Sequence, residues 1–115
     1  MDMVLSVDHH PVPGETIIGD GITYHPGGKG ANQAYAVGKL GGDVRIIGCV
    51  GWDNNGMILT ENLAQAGVDT TAINRMPEAP TGMAIIDVDK KGDNSIIVIS
   101  GANACLTPDL LRKQK

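Results

Sequence analysis

Residues 26–33, with the sequence PGGKGANQ, have the types and spacing best suited to holding a ligand. Glycine has no Cβ, so polar ligand atoms can reach the main-chain N–H groups directly. Residues 31–40 behind this loop predict a helix, whose first turn offers unpaired N–H donors and positive potential. Asn32 lies in that turn with both a donor and an acceptor, and Lys29 can meet a negative charge. The loop suits a neutral polyhydroxy ligand, although a tight structural turn before a closely packed helix explains it equally well.

Two common phosphate-binding motifs do not fit this loop. The dinucleotide fingerprint G-x-G-x-x-G would start at Gly28 and require glycine at position 33, where the sequence has Gln33. The Walker motif could use Gly28 and Lys29, but Gly30 replaces its hydroxyl residue and Thr23 replaces its first glycine. The loop is therefore not predicted to bind a nucleotide in either way.

The other candidate residues each have a structural explanation. His9, His10 and His25 lack the regular spacing of metal ligands, so no metal site is predicted. Asp53 follows a strand end, where open α/β sheets expose ligand sites, but it can also cap the next helix. Asn103 follows the last strand, and either a ligand contact or an Asn turn before a helix would account for it.

Composition and charge narrow the functional class. The chain has 115 residues, enough for one ordinary domain. A net charge of −4 and only three aromatic residues argue against nucleic-acid binding. No apolar run approaches the length of a membrane span, and the start lacks the positive charge of a signal peptide. Cys49 and Cys105 lie far apart in apolar segments and indicate buried thiols in a reducing compartment, so a cytoplasmic protein is expected.

The elements that must position the loop alternate between strands and helices. This order predicts an α/β domain with a parallel sheet flanked by helices, and the short polar-edged strands indicate a small added sheet. Asp53 or Asn54 is expected to cap the second helix, Gly67 to end it, and Thr107 to cap the last one. Strands are predicted at 3–7, in a hairpin of 16–18 and 22–24, at 44–50 (buried on both faces), at 81–88 and at 95–100.

Four blocks of the sequence resemble the ribokinase-type (PfkB) family of carbohydrate kinases. Residues 27–51, GGKGANQAYAVGKLGGDVRIIGCVG, are similar to the first signature of that family. The likeness continues, in the family's order, in PGET at 13–16, TGMAII at 81–86 and SGANACLTP at 100–108. It covers nearly the whole chain, so the resemblance implies a ribokinase-like α/β fold with a small β lid, of which residues 1–115 would form one truncated amino-terminal portion.

The resemblance also implies a sugar site. The family binds the sugar through the backbone and the Asn side chain of its glycine loop. Those positions are Gly28, Lys29, Gly30, Ala31 and Asn32 in this sequence. The family's first strand ends in an Asn-x-Asp motif whose carboxylate accepts bonds from two sugar hydroxyls. Counting back from PGET places this carboxylate at Asp2. The alternative interpretation is that Asp2 is only a frayed residue at the chain terminus. The matching Asn would precede Met1, so we expect the natural start to lie upstream.

The resemblance implies that residues 15–25 and 81–100 form the lid. In the family a small sheet covers the sugar and often mediates dimerisation, and closure keeps water from competing for the phosphoryl group. We therefore expect a homodimer formed through the lid strands.

The family's catalytic signature is a Gly-Ala-Gly-Asp stretch that this sequence does not contain. Gly101, Ala102 and Asn103 are the nearest match, but Asn cannot act as a base. No catalytic residue is predicted here, and the chain alone is expected to be inactive. ATP, Mg²⁺ and a monovalent cation such as K⁺ are implied for the complete enzyme only.

The leading hypothesis is an ATP-dependent kinase that transfers the γ-phosphoryl group to the 5-hydroxyl of ribose. A non-catalytic sugar-binding or dimerisation module is the main alternative, because the sequence contains no base. A nucleoside kinase or another sugar kinase of the family is a third hypothesis. The lack of Phe argues against a nucleoside, whose base usually stacks on aromatic rings.

Overall fold

The computed structural model describes residues 1–113 and contains two sheets with helices packed mainly on the smaller one. The strands are β1 (Asp2–Ser6), β2 (Gly21–His25), β3 (Arg45–Gly51), β4 (Asp69–Met76), β5 (Met83–Val88) and β6 (Asn94–Ile99). The helices are α1 (Lys29–Lys39), α2 (Asn54–Gln65) and α3 (Pro108–Lys113), and a 3₁₀ helix spans Gly101–Cys105. The chain is an α/β protein, as the alternation of elements predicted.

The large sheet has the strand order β2-β1-β5-β6. Its inner pair, β1 and β5, is parallel, while β2 and β6 are antiparallel edge strands. Met3 lies opposite Tyr24 on one side and Ile85 on the other. The sheet is therefore mixed, and the chain's first strand is at its centre.

The small sheet consists of the parallel pair β3 and β4. Helices α1 and α2 pack against it through a buried cluster of four apolar residues. The cluster contains Ala34, Leu63, Ala66 and Val68, with Ile46 and Ile73 of the two strands against it. The small residues of α1 let this helix approach closely: a Cβ on Gly38 would lie 2.5 Å from the Ala66 carbonyl oxygen.

The helix ends follow the capping residues in the sequence. Asp53 caps α2 by accepting a 2.8 Å bond from the Gly56 N–H. Gly67 follows α2 with a φ of 91°, a left-handed conformation that favours glycine. Thr107 caps α3 through a 3.2 Å bond from the Leu110 N–H to its hydroxyl. All three predicted ends are confirmed. Within residues 1–113, no helix has the length and apolar character needed to cross a membrane.

Two strand predictions were wrong or incomplete, and one strand was not predicted. Residues 16–18 form no strand, because β2 pairs with β1 rather than with a hairpin partner before it. The segment predicted at 44–50 forms β3, but Arg45 is exposed and only its last residues are buried. Its middle is half-buried because β3 has one neighbouring strand and borders a cavity. Strand β4 was not predicted, since its sequence, DTTAINRM, mixes polar and apolar residues without a regular alternation.

Candidate functional site

A cavity of about 340 Å³ lies between the glycine loop, β3, α2 and the segment that enters β5. Its walls bring together residues that are distant in the sequence. The glycine loop contributes residues 26–32, and the facing wall includes Thr81, Gly82 and Asn103. The remaining lining includes Ile46, Ile47, Gly48, Cys49 and Val50 from β3 and Leu59, Thr60, Asn62 and Leu63 from α2. The cavity therefore combines a mainly apolar lining with a few polar groups, as small-molecule sites commonly do.

The amino-terminal end of α1 forms the first wall. Gly28 is the N-cap residue, with a φ of 99° and a ψ of 132° that favour glycine. No side chain caps this helix, and its first turn holds no acidic residue. The Asn32 N–H donates a 2.8 Å bond to the Gly28 carbonyl oxygen, so the N–H groups ahead of it have no intrahelical acceptor. These donors can bind a polar or anionic ligand.

Asp2 lies beside this loop. A Cβ on Gly27 would come within 2.7 Å of the Asp2 carboxylate oxygen Oδ2, so a larger residue at this position would displace the Asp2 side chain. The position of Asp2 is set by the large sheet, in which it pairs with His25 of β2 and Ala84 of β5. The structure thus brings the Asp2 carboxylate into contact with the glycine loop, although Asp2 itself is not among the residues that line the cavity.

The second wall is built where the chain leaves the small sheet for the large one. Gly82 is buried, and a Cβ on it would overlap the side-chain amide of Asn103. Asn103 thus packs directly over the Gly82 backbone, at the start of the connection toward α3. Of the residues predicted for the site, Gly28, Lys29, Gly30, Ala31, Asn32 and Asn103 line one cavity. Their roles stay predictions.

Thr81, which the sequence did not single out, is the centre of a hydrogen-bond network. Its hydroxyl donates to Asp53 Oδ1 at 2.5 Å, and its N–H donates to Asp53 Oδ2 at 2.9 Å. The same hydroxyl oxygen accepts a 2.8 Å bond from the Gly51 N–H. The hint in the sequence was a hydroxyl residue between Pro80 and Gly82, which predicts a fixed turn without revealing its partner.

The Asp53 carboxylate has a perturbed pKa. Partial burial raises this pKa, but the bonds from Thr81 and from the Gly56 N–H outweigh burial and bring it below its ordinary value. Asp53 is therefore ionised at neutral pH and acts as an acceptor only.

His9, His10 and His25 are not among the residues that line this cavity. His9 contacts Asp8 at 3.2 Å and Glu15 at 3.0 Å, and these two carboxylates raise the pKa of its ring. His10 lies 3.5 Å from Asp89. Within residues 1–113, no three His, Cys, Asp or Glu side chains are grouped so as to hold a metal ion.

The two cysteines are free thiols. Cys49 is buried in β3, and burial raises the pKa of its thiol, so the reactive thiolate is disfavoured. Cys105 is half-buried at the end of the 3₁₀ helix. The prediction that both cysteines are buried is confirmed for Cys49, whereas Cys105 is only half-buried.

Both the sequence and the fold of this chain are similar to those of known proteins. Residues 1–115 match the pfkB family of carbohydrate kinases. The chain is 44% identical to a ribokinase of Haemophilus influenzae over 114 residues, covering 99% of this chain and 37% of that protein. It is also 44% identical to a ribokinase of Bacillus subtilis, covering 94% of this chain and 36% of that one.

A similar solved structure is that of Arabidopsis thaliana ribokinase complexed with ribose and ATP. It is 35% identical with a TM-score of 0.83, and the match covers 89% of this chain and 33% of that one. The chain thus spans about a third of the length of these relatives. Because both sequence and fold match along nearly its whole length, this chain belongs to the pfkB family of carbohydrate kinases.

Proposed function

We propose that this chain is the sugar-recognising part of an ATP-dependent kinase that transfers the γ-phosphoryl group to the 5-hydroxyl of ribose. The observation that carries the proposal is the cavity in which the uncapped amino-terminal end of α1 faces Asn103 across a space of sugar size. Hydroxyl groups both donate and accept, and this cavity offers both kinds of partner. The curated relatives at 44% identity are ribokinases, which supports ribose as the sugar.

Each predicted residue has a chemical task in this proposal. The backbone N–H groups of residues 28–31 donate to sugar oxygens, and the Asn32 amide provides a donor and an acceptor. The Asp2 carboxylate accepts from two hydroxyls on the side of the loop where it contacts Gly27. Lys29 supplies positive charge near the transferred group, and Asn103 closes the opposite wall.

Phosphoryl transfer depends mainly on positioning and on stabilisation of charge. In the proposal, this chain orients the sugar, while the base, ATP, Mg²⁺ and a monovalent cation are assigned to residues outside this sequence. The 115-residue chain is accordingly proposed to be inactive by itself.

The large sheet is proposed to be the lid over the sugar and to pair with a second copy of the chain. Its edge strand β6 exposes a continuous apolar run in which Val98 is 69% exposed. Such an uncovered surface favours association. The protein is further proposed to be cytoplasmic.

Calorimetric titration of the 115-residue chain with ribose, fructose and adenosine tests sugar recognition. Saturable binding of ribose, weaker for the other two, is expected, and Asn32→Ala should abolish it by removing a donor and an acceptor. Asn54→Ala, at an exposed position of α2 that does not line the cavity, is the matched control and should bind like the wild type. Equal binding by Asn32→Ala and the wild type would contradict the site.

A chimera tests the kinase assignment. This chain replaces the matching first third of the Bacillus subtilis relative, and ATP-dependent phosphorylation of ribose is measured. Activity that requires Asn32 supports the proposal. A folded chimera that binds ribose without turnover would instead favour a non-catalytic sugar-binding module.

A further inference from the structure

The connection between the two sheets is tightly held at one residue. Residues 77–82 leave β4 of the small sheet and enter β5 of the large sheet. Within residues 1–113, Thr81 is the polar side chain with the greatest burial, at 5% exposure. A buried polar group is costly unless its hydrogen bonds are made, so its partners have to be in place for this connection to adopt its conformation.

Asp53 supplies those partners. Both of its carboxylate oxygens accept bonds from Thr81, and Oδ1 also accepts from the Gly56 N–H at the start of α2. Thr81 in turn accepts from the Gly51 N–H at the end of β3. One carboxylate therefore joins the end of β3, the start of α2 and the entry to β5.

The surrounding backbone leaves this junction little freedom. A Cβ on Gly51 would lie 2.5 Å from the Thr81 nitrogen, and one on Gly56 would lie 3.0 Å from the Thr81 hydroxyl oxygen. Gly51 and Gly56 are therefore close-packed against the Asp53–Thr81 pair, with no room for a side chain at either glycine. A close-packed contact of this kind transmits a displacement instead of absorbing it.

Two contacts lead from Thr81 to the proposed sugar site. Gly82, the next residue, forms the cavity wall over which Asn103 packs. Beyond it, β5 pairs with β1 so that Ala84 lies opposite Asp2, whose carboxylate contacts the glycine loop. The position of β5 therefore sets the position of both Asn103 and Asp2.

We propose that Asp53 is a positioning residue. Through Thr81 it holds the Asn103 and Asp2 side chains in place relative to the glycine loop. This inference rests on the proposed sugar site, and it assigns Asp53 a task beyond capping α2. Asp53 does not touch the sugar. Its effect on binding arises because it fixes the entry to β5 while the glycine loop is held separately by α1.

The 115-residue chain and four variants test the inference. Asp53→Asn keeps an acceptor for the Gly56 N–H but loses the one for the Thr81 N–H. Thr81→Val removes the hydroxyl, and Thr81→Ser restores it. Thr71→Val is the matched control, because the Thr71 hydroxyl also donates to a carboxylate, that of Asp69 at 2.7 Å, at an exposed position near the start of β4.

Two quantities are measured on each variant. Ribose titration is expected to show a Kd raised about tenfold or more in Asp53→Asn and Thr81→Val, and by less than about twofold in Thr81→Ser and Thr71→Val. Amide hydrogen exchange without ligand is expected to be about tenfold faster at Ala84, whose N–H donates to the Met1 carbonyl oxygen, in the two disruptive variants. Exchange within α1 should not change.

The outcomes separate this inference from the sugar assignment. If the wild type binds no ribose, the proposed sugar site fails for this chain, and exchange at Ala84 still decides whether Asp53 holds the entry to β5. Unchanged exchange in Asp53→Asn, or equal losses of affinity in Thr81→Val and Thr71→Val, would overturn the inference. If Thr81→Val does not fold, ribose affinity and amide exchange are compared between Asp53→Asn and Thr81→Ser instead.

Discussion

The two sheets of this molecule are stabilised in different ways. The small sheet is covered by two helices through a cluster in which Leu63 is only 4% exposed. The large sheet has its strands paired by backbone hydrogen bonds, yet its edge strand β6 leaves Ile97 61% exposed. The difference indicates that the small-sheet region carries most of the chain's internal packing energy, whereas the large sheet presents surface suited to contact with something else.

The largest difference between the two regions is expected for truncation of an apolar side chain. Leu63→Ala should lower the free energy of unfolding by about 2–5 kcal/mol, because it removes buried contacts and leaves a cavity. Ile97→Ala should change it by less than about 0.5 kcal/mol, since its side chain is already largely solvated. Urea unfolding followed by circular dichroism measures both. Similar losses in the two variants would mean that the large sheet is packed as tightly as the small one.

A glycine-to-alanine substitution, which adds one methyl group, should also lower the free energy of unfolding more in the small-sheet region than in the large sheet. The difference should be smaller than for truncation. Gly38→Ala is expected to destabilise the chain by about 1–3 kcal/mol, because its Cβ would collide with the Ala66 carbonyl oxygen. Gly21→Ala in β2 is the control, since no atom lies within 4 Å of the Cβ it would add. The same urea titration applies. A Gly38→Ala variant as stable as Gly21→Ala would show that α1 is not closely packed.

The contribution of Asp53 to the free energy of unfolding, through its hydrogen bonds at the junction between the sheets, should decrease in acid. The pKa of folded Asp53 lies below its ordinary value of 3.8, because hydrogen bonds from Thr81 and Gly56 outweigh the effect of burial. A depressed folded pKa stabilises the protein fully above the ordinary value, and this stabilisation is lost as pH falls through the folded pKa. The stability difference between the wild type and Asp53→Asn should therefore be constant above about pH 5 and narrow below the ordinary pKa.

Urea midpoints measured on both proteins from neutral to acid pH check this expectation. Asp8, Glu15 and Asp69 also have lowered pKa values, but they are present in both proteins and cancel in the difference. A stability difference that stays constant through the acid range would show that Asp53 is not ionised in these hydrogen bonds.

A charge placed on the large sheet is expected to have the smallest effect on the free energy of unfolding. It should, however, clearly weaken association between two copies of the chain. Ile97→Lys places a charge on the exposed apolar surface of β6 and should shift the chain from dimer to monomer in sedimentation, with little change in unfolding. Val12→Lys is the control, because Val12 is equally exposed, at 62%, but lies in the loop after β1. Dimerisation that survives Ile97→Lys would exclude β6 from the interface.

The sequence predicted the parts of the site whose chemistry is local. Glycines before a helix made of small residues predicted an open amino-terminal end at Gly28, and this end lines the cavity. Asp53 was predicted as a cap because N-capping depends on residues three positions apart. Asn103 was predicted from its place after a strand, and its position on the cavity wall follows from the turn that precedes α3.

Long-range pairing was decided by the tertiary structure alone. Strand β4 forms because its backbone completes the small sheet beside β3, although its own residues show no strand pattern. The β2 segment pairs with β1, and the hairpin suggested by the nearer residues 16–18 does not form. Thr81 meets Asp53 across 28 residues of sequence. Capping and turn preferences act over a few residues, whereas sheet order and buried hydrogen bonds depend on which distant segments the folded chain brings together.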